Sequence, residues 1–196
     1  MKSPRKNKSM ILKLCLLGDG GVGKTTFAER AVSGEFKSET EITIGVDFQL
    51  IPIQVNLGDD GESKIQVDVA IWDLGGESRF REILPSYING ADGALLLYDV
   101  NRYKTAINLV DWVKIWRDNT PEGIPLYMLG SKIDQISDSN LDMLDMNRDE
   151  LKEGLNIDTH YYVSSKTGQM VNKVIRLIVD DMLDSSIDLI SRKYGL

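Results

Sequence analysis

Short apolar runs, each bounded by turn residues, recur along the chain at 11–17, 67–72, 93–100, 124–129 and 161–163. Each run has the length of a buried strand, and the segments between them space their apolar residues as helices do. Strands that alternate with helices favour a parallel sheet covered by helices on both faces. The pattern therefore predicts an α/β fold with helices on both faces of a mostly parallel sheet.

Two helical segments carry apolar stripes that face a core. In the first, Leu109, Trp112, Val113 and Trp116 fall at helical spacing and make one apolar face. The second, at 171–190, repeats this spacing and is long enough to cover one side of the sheet. Both stripes are predicted to serve packing rather than catalysis.

Strict alternation of apolar and polar residues at 46–57 and at 65–71 predicts an antiparallel hairpin, which brings the sheet to about six strands. The turn is Gly-Asp-Asp-Gly at 58–61, and the first arm contains Pro52, which lacks the N–H that an inner strand donates. That arm is therefore expected at the sheet edge. The polar, aspartate-rich stretch 135–149 is interpreted as a solvated loop that leads into a short helix at 148–155.

The length of 196 residues, with 42% hydrophobic and 27% charged residues, fits one globular domain. We expect that domain at 11–196, after a flexible basic tail at 1–10. The formal net charge of −7 argues against non-specific binding to nucleic acid or to anionic lipid. An anionic ligand must then be held by local charges.

The single cysteine, Cys15, allows no internal disulfide and fits a reducing compartment, so a cytoplasmic location is expected. The sequence contains no apolar run of the length, about 18 residues, that a membrane span requires. Neither end carries a lipidation motif. A direct membrane anchor is therefore not expected.

A glycine-rich stretch follows the first predicted strand and opens a helix predicted at 25–32. It reads Gly-Asp-Gly-Gly-Val-Gly-Lys-Thr at 18–25 and matches the pattern G-x-x-x-x-G-K-[ST]. Glycines let backbone N–H groups approach phosphate oxygens, a helix start favours an anion, and the lysine adds a full charge. A glycine-rich turn without a ligand is the weaker interpretation. The stretch predicts a three-layer P-loop NTPase fold that binds a nucleoside triphosphate through Gly20, Gly21, Val22, Gly23, Lys24, Thr25 and Thr26.

Three oxygen-bearing residues are candidates for a magnesium site beside the triphosphate. Thr25 offers a hydroxyl, and Asp73, at the end of the strand 67–72, offers a carboxylate. Thr43 lies in the polar loop between them and would complete the metal shell only while the triphosphate is intact. After Asp73, the Gly75-Gly76 backbone is flexible enough for the Gly76 N–H to bind the terminal phosphate.

Asp134 follows the strand 124–129, so we expect its carboxylate at the carboxyl edge of the sheet, where ligands of such folds bind. A carboxylate pairs with the ring N–H and amino group of guanine, whereas adenine offers no such donor pair. Lys132 is a candidate to cover the base, with a solvated lysine as the alternative. Phe36 is a candidate to stack on the base, with a core position as the alternative. The other predicted base contacts are Ser131, Ser164, Ser165 and Lys166.

Together, these motifs resemble those of Ras-superfamily small GTPases over nearly the whole chain. They follow the family's order, with the phosphate loop at 18–25, the switch I threonine at 43, DxxG at 73–76, N/TKxD at 131–134 and SAK at 164–166. The stretches 43–48 and 86–91 look most like Rab proteins, whereas 72–76 looks more like the Arf branch. The subfamily stays open.

The resemblance implies a monomeric molecular switch that binds GTP or GDP with Mg²⁺. GTP would order switch I, about 36–45, and switch II, about 73–87, as surfaces for effector proteins. Exchange and activating proteins are further implied partners. By resemblance to Rab proteins, Phe48, Trp72 and Tyr87 form an effector-binding aromatic patch, and the alternative is three ordinary half-buried aromatic residues.

Three departures from the family pattern bear on function. Glu77 stands where the family has the glutamine that orients the attacking water, and repulsion between its carboxylate and the terminal phosphate is expected to slow hydrolysis. Ser131 replaces an asparagine that ties the base loop to the phosphate loop, so a lower nucleotide affinity is expected. The absence of a lipidated tail argues against cycling between membrane and cytosol.

Three functions follow from these residues. The first is a GTP-hydrolysing switch in which Lys24, Thr43, Gly76 and Glu77 serve catalysis. The second is a GTP-bound scaffold in which Glu77 has ended hydrolysis. The third is a nucleotide or small-molecule kinase built on the same phosphate loop, although the sequence shows no acceptor pocket or arginine-rich lid.

Overall fold

The fold is described by a computed structural model that covers residues 10–38, 42–57, 63–77 and 81–194, and a six-stranded sheet forms its centre. The strands are β1 (Met10–Leu17), β2 (Val46–Leu57), β3 (Ser63–Leu74), β4 (Gly93–Asp99), β5 (Leu126–Ser131) and β6 (His160–Val163). Their order across the sheet is β2-β3-β1-β4-β5-β6. All neighbours are parallel except β2 and β3, so the predicted mostly parallel sheet with one antiparallel edge strand is confirmed.

Helices cover both faces of this sheet. They are α1 (Lys24–Ser33), α2 (Leu84–Ile88), α3 (Tyr103–Ile107), α4 (Leu109–Asn119), α5 (Leu141–Leu155) and α6 (Val171–Tyr194). Along β1, Leu12, Leu14 and Leu16 pack in one apolar core with α1 and α6. Cys15 and Leu17 point the other way, into a second core with α2 and α4. Since side chains alternate along a strand, a continuously apolar β1 supplies both cores.

The predicted apolar stripes are buried as expected. Leu109, Trp112, Val113 and Trp116 of α4 are each 4% exposed or less and pack against the sheet. On the opposite face, α6 buries its own stripe from Val171 to Met182 and packs on the sheet there. Both helices therefore serve packing, as their spacing predicts.

The predicted hairpin is present, with Phe48 opposite Trp72 and Pro52 opposite Asp68. Pro52 lies on β2 at the sheet edge, where a missing N–H leaves no inner ladder bond unmade. The turn predicted at 58–61 lies outside the described residues.

The tail predicted at 1–10 also lies outside the described residues, except for Met10. Met10 is not part of a tail, because it pairs with Val67 and begins β1.

One local prediction is wrong. The stretch 135–149 is not a solvated loop ending in a short helix at 148–155, because α5 already begins at Leu141 and runs for 15 residues. Leu144, Leu151 and Leu155 lie on one helical face at spacings of seven and four residues, and Leu155 is buried. Asp142 and Asp149 of this acidic stretch are exposed on α5, where a helix accepts them as well as a loop does.

None of the helices in the described part of the chain combines the length and apolar composition that crossing a lipid bilayer requires.

Candidate functional site

A cavity of about 470 Å³ opens at the edge of the sheet where the parallel strands end. β1 leads through the phosphate loop into α1, and the segments that follow β3, β5 and β6 reach the same cavity. The sequence-predicted residues that line it are Gly20, Gly21, Val22, Gly23, Lys24, Thr25, Thr26, Phe36, Thr43, Gly76, Glu77, Ser131, Lys132, Asp134, Ser165 and Lys166. The fold thus brings together stretches more than a hundred residues apart.

The phosphate loop is shaped by its first glycine. Gly18 has φ 135°, and a Cβ at this position would lie 2.2 Å from the carbonyl oxygen of Leu97. Only glycine fits there, because the loop leaves β1 in direct contact with the main chain of β4. This close packing positions the rest of the loop against the sheet edge.

Lys24 lies at the start of α1 and is buried, with 6% of its surface exposed. Its Nζ donates hydrogen bonds to the carbonyl oxygens of Gly18 (2.7 Å) and Asp19 (2.9 Å). Burial lowers the pKa of Lys24 to about 8, although Asp73 and Asp19 act in the opposite direction. A bound phosphate would supply the negative charge that favours the protonated amine.

Three oxygen donors meet beside Lys24, as predicted for a magnesium site. The Thr25 Oγ1 contacts Asp73 Oδ2 and lies 2.8 Å from the Thr43 Oγ1, which donates to Asp73 Oδ2 at 3.2 Å. These side chains come from α1, from the segment before β2 and from the end of β3. Mg²⁺ prefers oxygen ligands, and here hydroxyl and carboxylate oxygens from three elements lie together.

The Asp73 carboxylate supports this assignment further. It is 2% exposed, and its Oδ1 has no hydrogen-bond partner among the described residues. Burial raises the pKa of Asp73, against the lowering effect of the Thr25 hydrogen bond and of Lys24. No group of three or more His, Cys, Asp or Glu side chains with metal-binding geometry occurs in the described ranges. A cation here would therefore share its shell with phosphate oxygens, as Mg²⁺ commonly does.

Gly76 joins this region to the phosphate loop. A Cβ on Gly76 would lie 2.4 Å from both the carbonyl carbon of Asp19 and the nitrogen of Gly20. The neighbouring Gly75 N–H donates to the Gly45 carbonyl at 2.8 Å. The DxxG segment therefore touches the phosphate loop on one side and the residues after Thr43 on the other.

At the far end of the cavity, Asp134 lies in a short 3-10 helix, Ile133–Gln135. Its Oδ1 accepts a 2.6 Å hydrogen bond from the Ser164 hydroxyl, which is completely buried and does not line the cavity. Ser164 therefore acts on the base pocket through Asp134, and Ser165 and Lys166 reach the cavity themselves. This hydrogen bond fixes the direction of the carboxylate.

Lys132 and Phe36 take the positions proposed for base contacts. The Lys132 Nζ is not simply solvated, because it donates to the Gly21 carbonyl (3.0 Å) and to Asp99 Oδ2 (2.7 Å). Phe36 is 39% exposed and lines the cavity, so it is not a core residue. An aromatic ring and a lysine stem are thus present beside Asp134.

Ser131 retains the connection for which the family uses asparagine. Its buried hydroxyl lies 2.6 Å from the Val22 carbonyl and 2.8 Å from the Tyr98 carbonyl. The base loop is therefore tied directly to the phosphate loop. A hydroxyl has one hydrogen to donate, so it bonds fully to only one of these two carbonyls at a time.

Several residues at this site were not singled out from the sequence. Lys37, Ser38, Ile42 and Gln135 also line the cavity. More important is Asp99, which is buried at the end of β4 and bonds to Lys132. A signal for Asp99 is present in the sequence, because a carboxylate at the end of an apolar strand is the feature that identified Asp73.

The aromatic patch does not line the cavity and involves β2, β3 and α2. The ring of Trp72 lies 6.2 Å from those of both Phe48 and Tyr87. Phe48 is 63% exposed. The three rings are neighbours, but Trp72 and Tyr87 are half-buried and pack against the second core, so of the three only Phe48 is exposed.

A family model described as the Ras family matches residues 13–184 of this chain. The chain is 43% identical over 122 residues to the Ras and EF-hand domain-containing protein of Xenopus tropicalis, covering 62% of this chain and 16% of that protein. It is 41% identical over 124 residues to the Ras-related protein RIC2 of Oryza sativa subsp. japonica and to the Ras-related protein Rab11B of Nicotiana tabacum. Each of these two matches covers 63% of this chain and 54% of the relative, so the chain spans about half the length of the plant relatives.

Proposed function

The chain belongs to the Ras family of small GTP-binding proteins, and from this premise we propose that it is a guanine-nucleotide switch that binds GTP or GDP with Mg²⁺ and hydrolyses GTP slowly. The observation that carries the proposal is the cavity itself. Lys24, Thr25 and Thr43 line this cavity, Asp73 contacts both threonines, and Asp134 lines the same cavity. A guanine ring and a polyphosphate need these two kinds of partner within one site.

Different residues bind different parts of the nucleotide and the metal ion. Lys24 and the N–H groups of the phosphate loop bind the phosphates, and Asp134 selects guanine while Phe36 and Lys132 cover the ring. Thr25, Thr43 and Asp73 would hold Mg²⁺, which supplies positive charge against the phosphate oxygens.

The switch follows from the contacts of Thr43 and Gly76. Thr43 reaches Thr25 and Asp73 from switch I, and Gly76 contacts the phosphate loop from switch II. Both segments therefore meet where the terminal phosphate would bind. While that phosphate is bound, the two segments are held in place and, with the aromatic patch of Phe48, Trp72 and Tyr87, form the surface for effectors. Loss of the phosphate removes the shared partner, releases both segments and disrupts that surface. Exchange and activating proteins are expected to act on the same two segments.

Slow hydrolysis is proposed because Glu77 lines the cavity at the position of a water-orienting residue. A carboxylate there brings negative charge towards the terminal phosphate, which opposes the reaction. Release of inorganic phosphate from excess GTP is the direct test, measured with and without candidate activating proteins. A protein that binds GTP but never releases phosphate would reject the hydrolysing switch.

The same residue favours a second candidate, a GTP-bound scaffold that no longer hydrolyses GTP. Glu77→Gln separates the two in a single-turnover assay, with Glu82→Gln as a control of equal charge change. A large rise in rate with Glu77→Gln supports the scaffold, because the carboxylate was then inhibitory. A fall shows that the carboxylate takes part in the reaction and supports the switch. Family membership favours both of these over a kinase.

For the molecule as a whole, we propose one domain that begins with β1 at Met10, monomeric and cytoplasmic, without nucleic acid as a partner. The acidic net charge of −7 supports the exclusion of nucleic acid. Chromatography of nucleotide released from the purified protein would identify the bound base and its phosphorylation state together.

A further inference from the structure

Asp99, at the end of β4, is a buried carboxylate whose side chain is 3% exposed. Its Oδ2 accepts hydrogen bonds from Lys132 Nζ (2.7 Å) and Arg102 Nε (2.9 Å), and its Oδ1 accepts one from the Asn101 N–H (3.0 Å). Burial by itself would raise the pKa of Asp99, but hydrogen bonds from these three residues outweigh it and hold the pKa below its ordinary value. Asp99 is therefore an ionised anchor for two cations.

Both cations extend from this anchor to the phosphate loop. Arg102 Nη2 donates to the carbonyl of Gly20 at 3.2 Å, and Lys132 Nζ donates to the carbonyl of Gly21 at 3.0 Å. Two successive carbonyls of the loop are thus each bonded by a cation held on the same carboxylate. Lys132 belongs to the motif already described, whereas Arg102 belongs to none of the motifs found in the sequence.

The turn that carries Arg102 is itself fixed. The Arg102 N–H donates to the Asp99 carbonyl at 2.9 Å, and the Thr105 hydroxyl donates to the Arg102 carbonyl at 2.7 Å. Only the side chain projects, and it is 47% exposed. The guanidinium bonds to Asp99 through Nε and to Gly20 through Nη2, two nitrogens held in one rigid plane. A lysine at this position would have one nitrogen to serve both acceptors.

The hydrogen bond to Gly20 controls a peptide group of the binding site. In a trans peptide the C=O of one residue and the N–H of the next point in opposite directions. A Gly20 carbonyl held by Arg102 therefore turns the Gly21 N–H away from Arg102. Gly20 and Gly21 line the cavity, and Arg102 does not. The glycines have no side chains to fix this peptide by themselves.

We propose that Arg102 is a positioning residue of the nucleotide site, which holds the Gly20–Gly21 peptide with its N–H directed to the bound phosphates. The inference rests on the proposed nucleotide binding and deepens it. Arg102 acts through the loop rather than by touching the reacting atoms. Its contribution is expected in nucleotide retention and not in the chemical step.

The experiment measures the dissociation of a fluorescent GDP analogue, chased with excess GDP, from full-length protein. Arg102→Gln is expected to speed dissociation about tenfold, because one charge-assisted hydrogen bond to the loop is lost. Arg102→Lys, which keeps the charge but not the planar fork, is expected to speed it severalfold. Lys104→Gln, an exposed cation two residues away, is expected to match the wild type.

Two further measurements exclude other roles. The thermal midpoint of the nucleotide-free protein is expected to change little in Arg102→Gln, since Lys132 Nζ and the Asn101 N–H still bond to Asp99. Single-turnover GTP hydrolysis is expected to be unchanged once nucleotide is bound. A lower nucleotide-free midpoint would assign Arg102 to general stability, and slower hydrolysis with unchanged dissociation would assign it to the reaction. Either result overturns the proposal.

The remaining outcomes are equally decisive. If the GDP analogue dissociates from Arg102→Gln at the wild-type rate, the positioning role is overturned and the proposed function is unaffected. If the analogue dissociates from Arg102→Lys at the wild-type rate, a positive charge alone is sufficient, and the positioning role of the planar guanidinium is also overturned. A wild-type protein that binds no guanine nucleotide overturns the proposed function, and the inference with it.

Discussion

At the scale of single residues, small hydroxyl side chains organise this site. Ser164 orients Asp134 from a completely buried position, and Ser131 ties the base loop to the phosphate loop. Thr25 and Thr43 bring two separate segments to Asp73. A hydroxyl both donates and accepts, so it can connect a carboxylate or a carbonyl to a second group in little space.

Asp134→Ala tests the base assignment. The preference for GDP over ADP, measured by competition against a fluorescent GDP analogue, is expected to fall about tenfold to a hundredfold, because the guanine donors lose a charged acceptor. Asp142→Ala, on the exposed first turn of α5, removes the same charge elsewhere and is expected to keep the preference. If Asp134→Ala prefers GDP over ADP as strongly as the wild type does, the assignment of Asp134 to guanine recognition is wrong.

At the scale of elements, α5 shows how composition can mislead. Its acidic residues suggested a loop, yet a helix needs only one apolar face to pack. Leu155 is 5% exposed and lies in the core between the sheet and α4, whereas Met143 is 64% exposed. The same helix thus offers a buried and an exposed apolar side chain for comparison.

Leu155→Ala is expected to lower the free energy of unfolding by about 2 to 4 kcal/mol, since it leaves a cavity in the core. Met143→Ala is expected to change it by no more than about 0.5 kcal/mol. Urea unfolding with saturating GDP measures both. Equal effects of the two substitutions would show that α5 does not pack as described.

At the scale of the whole molecule, a nucleotide would connect elements that otherwise meet only at the sheet edge. The cavity takes residues from the segments after β1, β3, β5 and β6 and from the segment before β2. A ligand that binds only the folded state stabilises it in proportion to the logarithm of its concentration. Stability and nucleotide occupancy are therefore linked in this protein.

Removal of Mg²⁺ tests this linkage. With GDP present, EDTA is expected to lower the thermal midpoint and to speed GDP release, because the Asp73 and phosphate oxygens lose the cation that they share. In nucleotide-free protein EDTA is expected to have little effect, which provides the control. An unchanged midpoint with GDP and EDTA would contradict a metal held jointly by protein and nucleotide.

The sequence by itself determined the alternation of strands and helices, the hairpin with its edge strand, and the identity of most cavity residues. These features depend on spacing over a few residues, such as the alternation in 46–57 or the glycine-rich stretch at 18–25. The tertiary structure decided the extent of α5 and the roles of Asp99 and Arg102. Those depend on which face of a helix meets the core, on the contact of Asp99 with the distant Lys132 and on the contact of Arg102 with the distant Gly20, which no local pattern encodes.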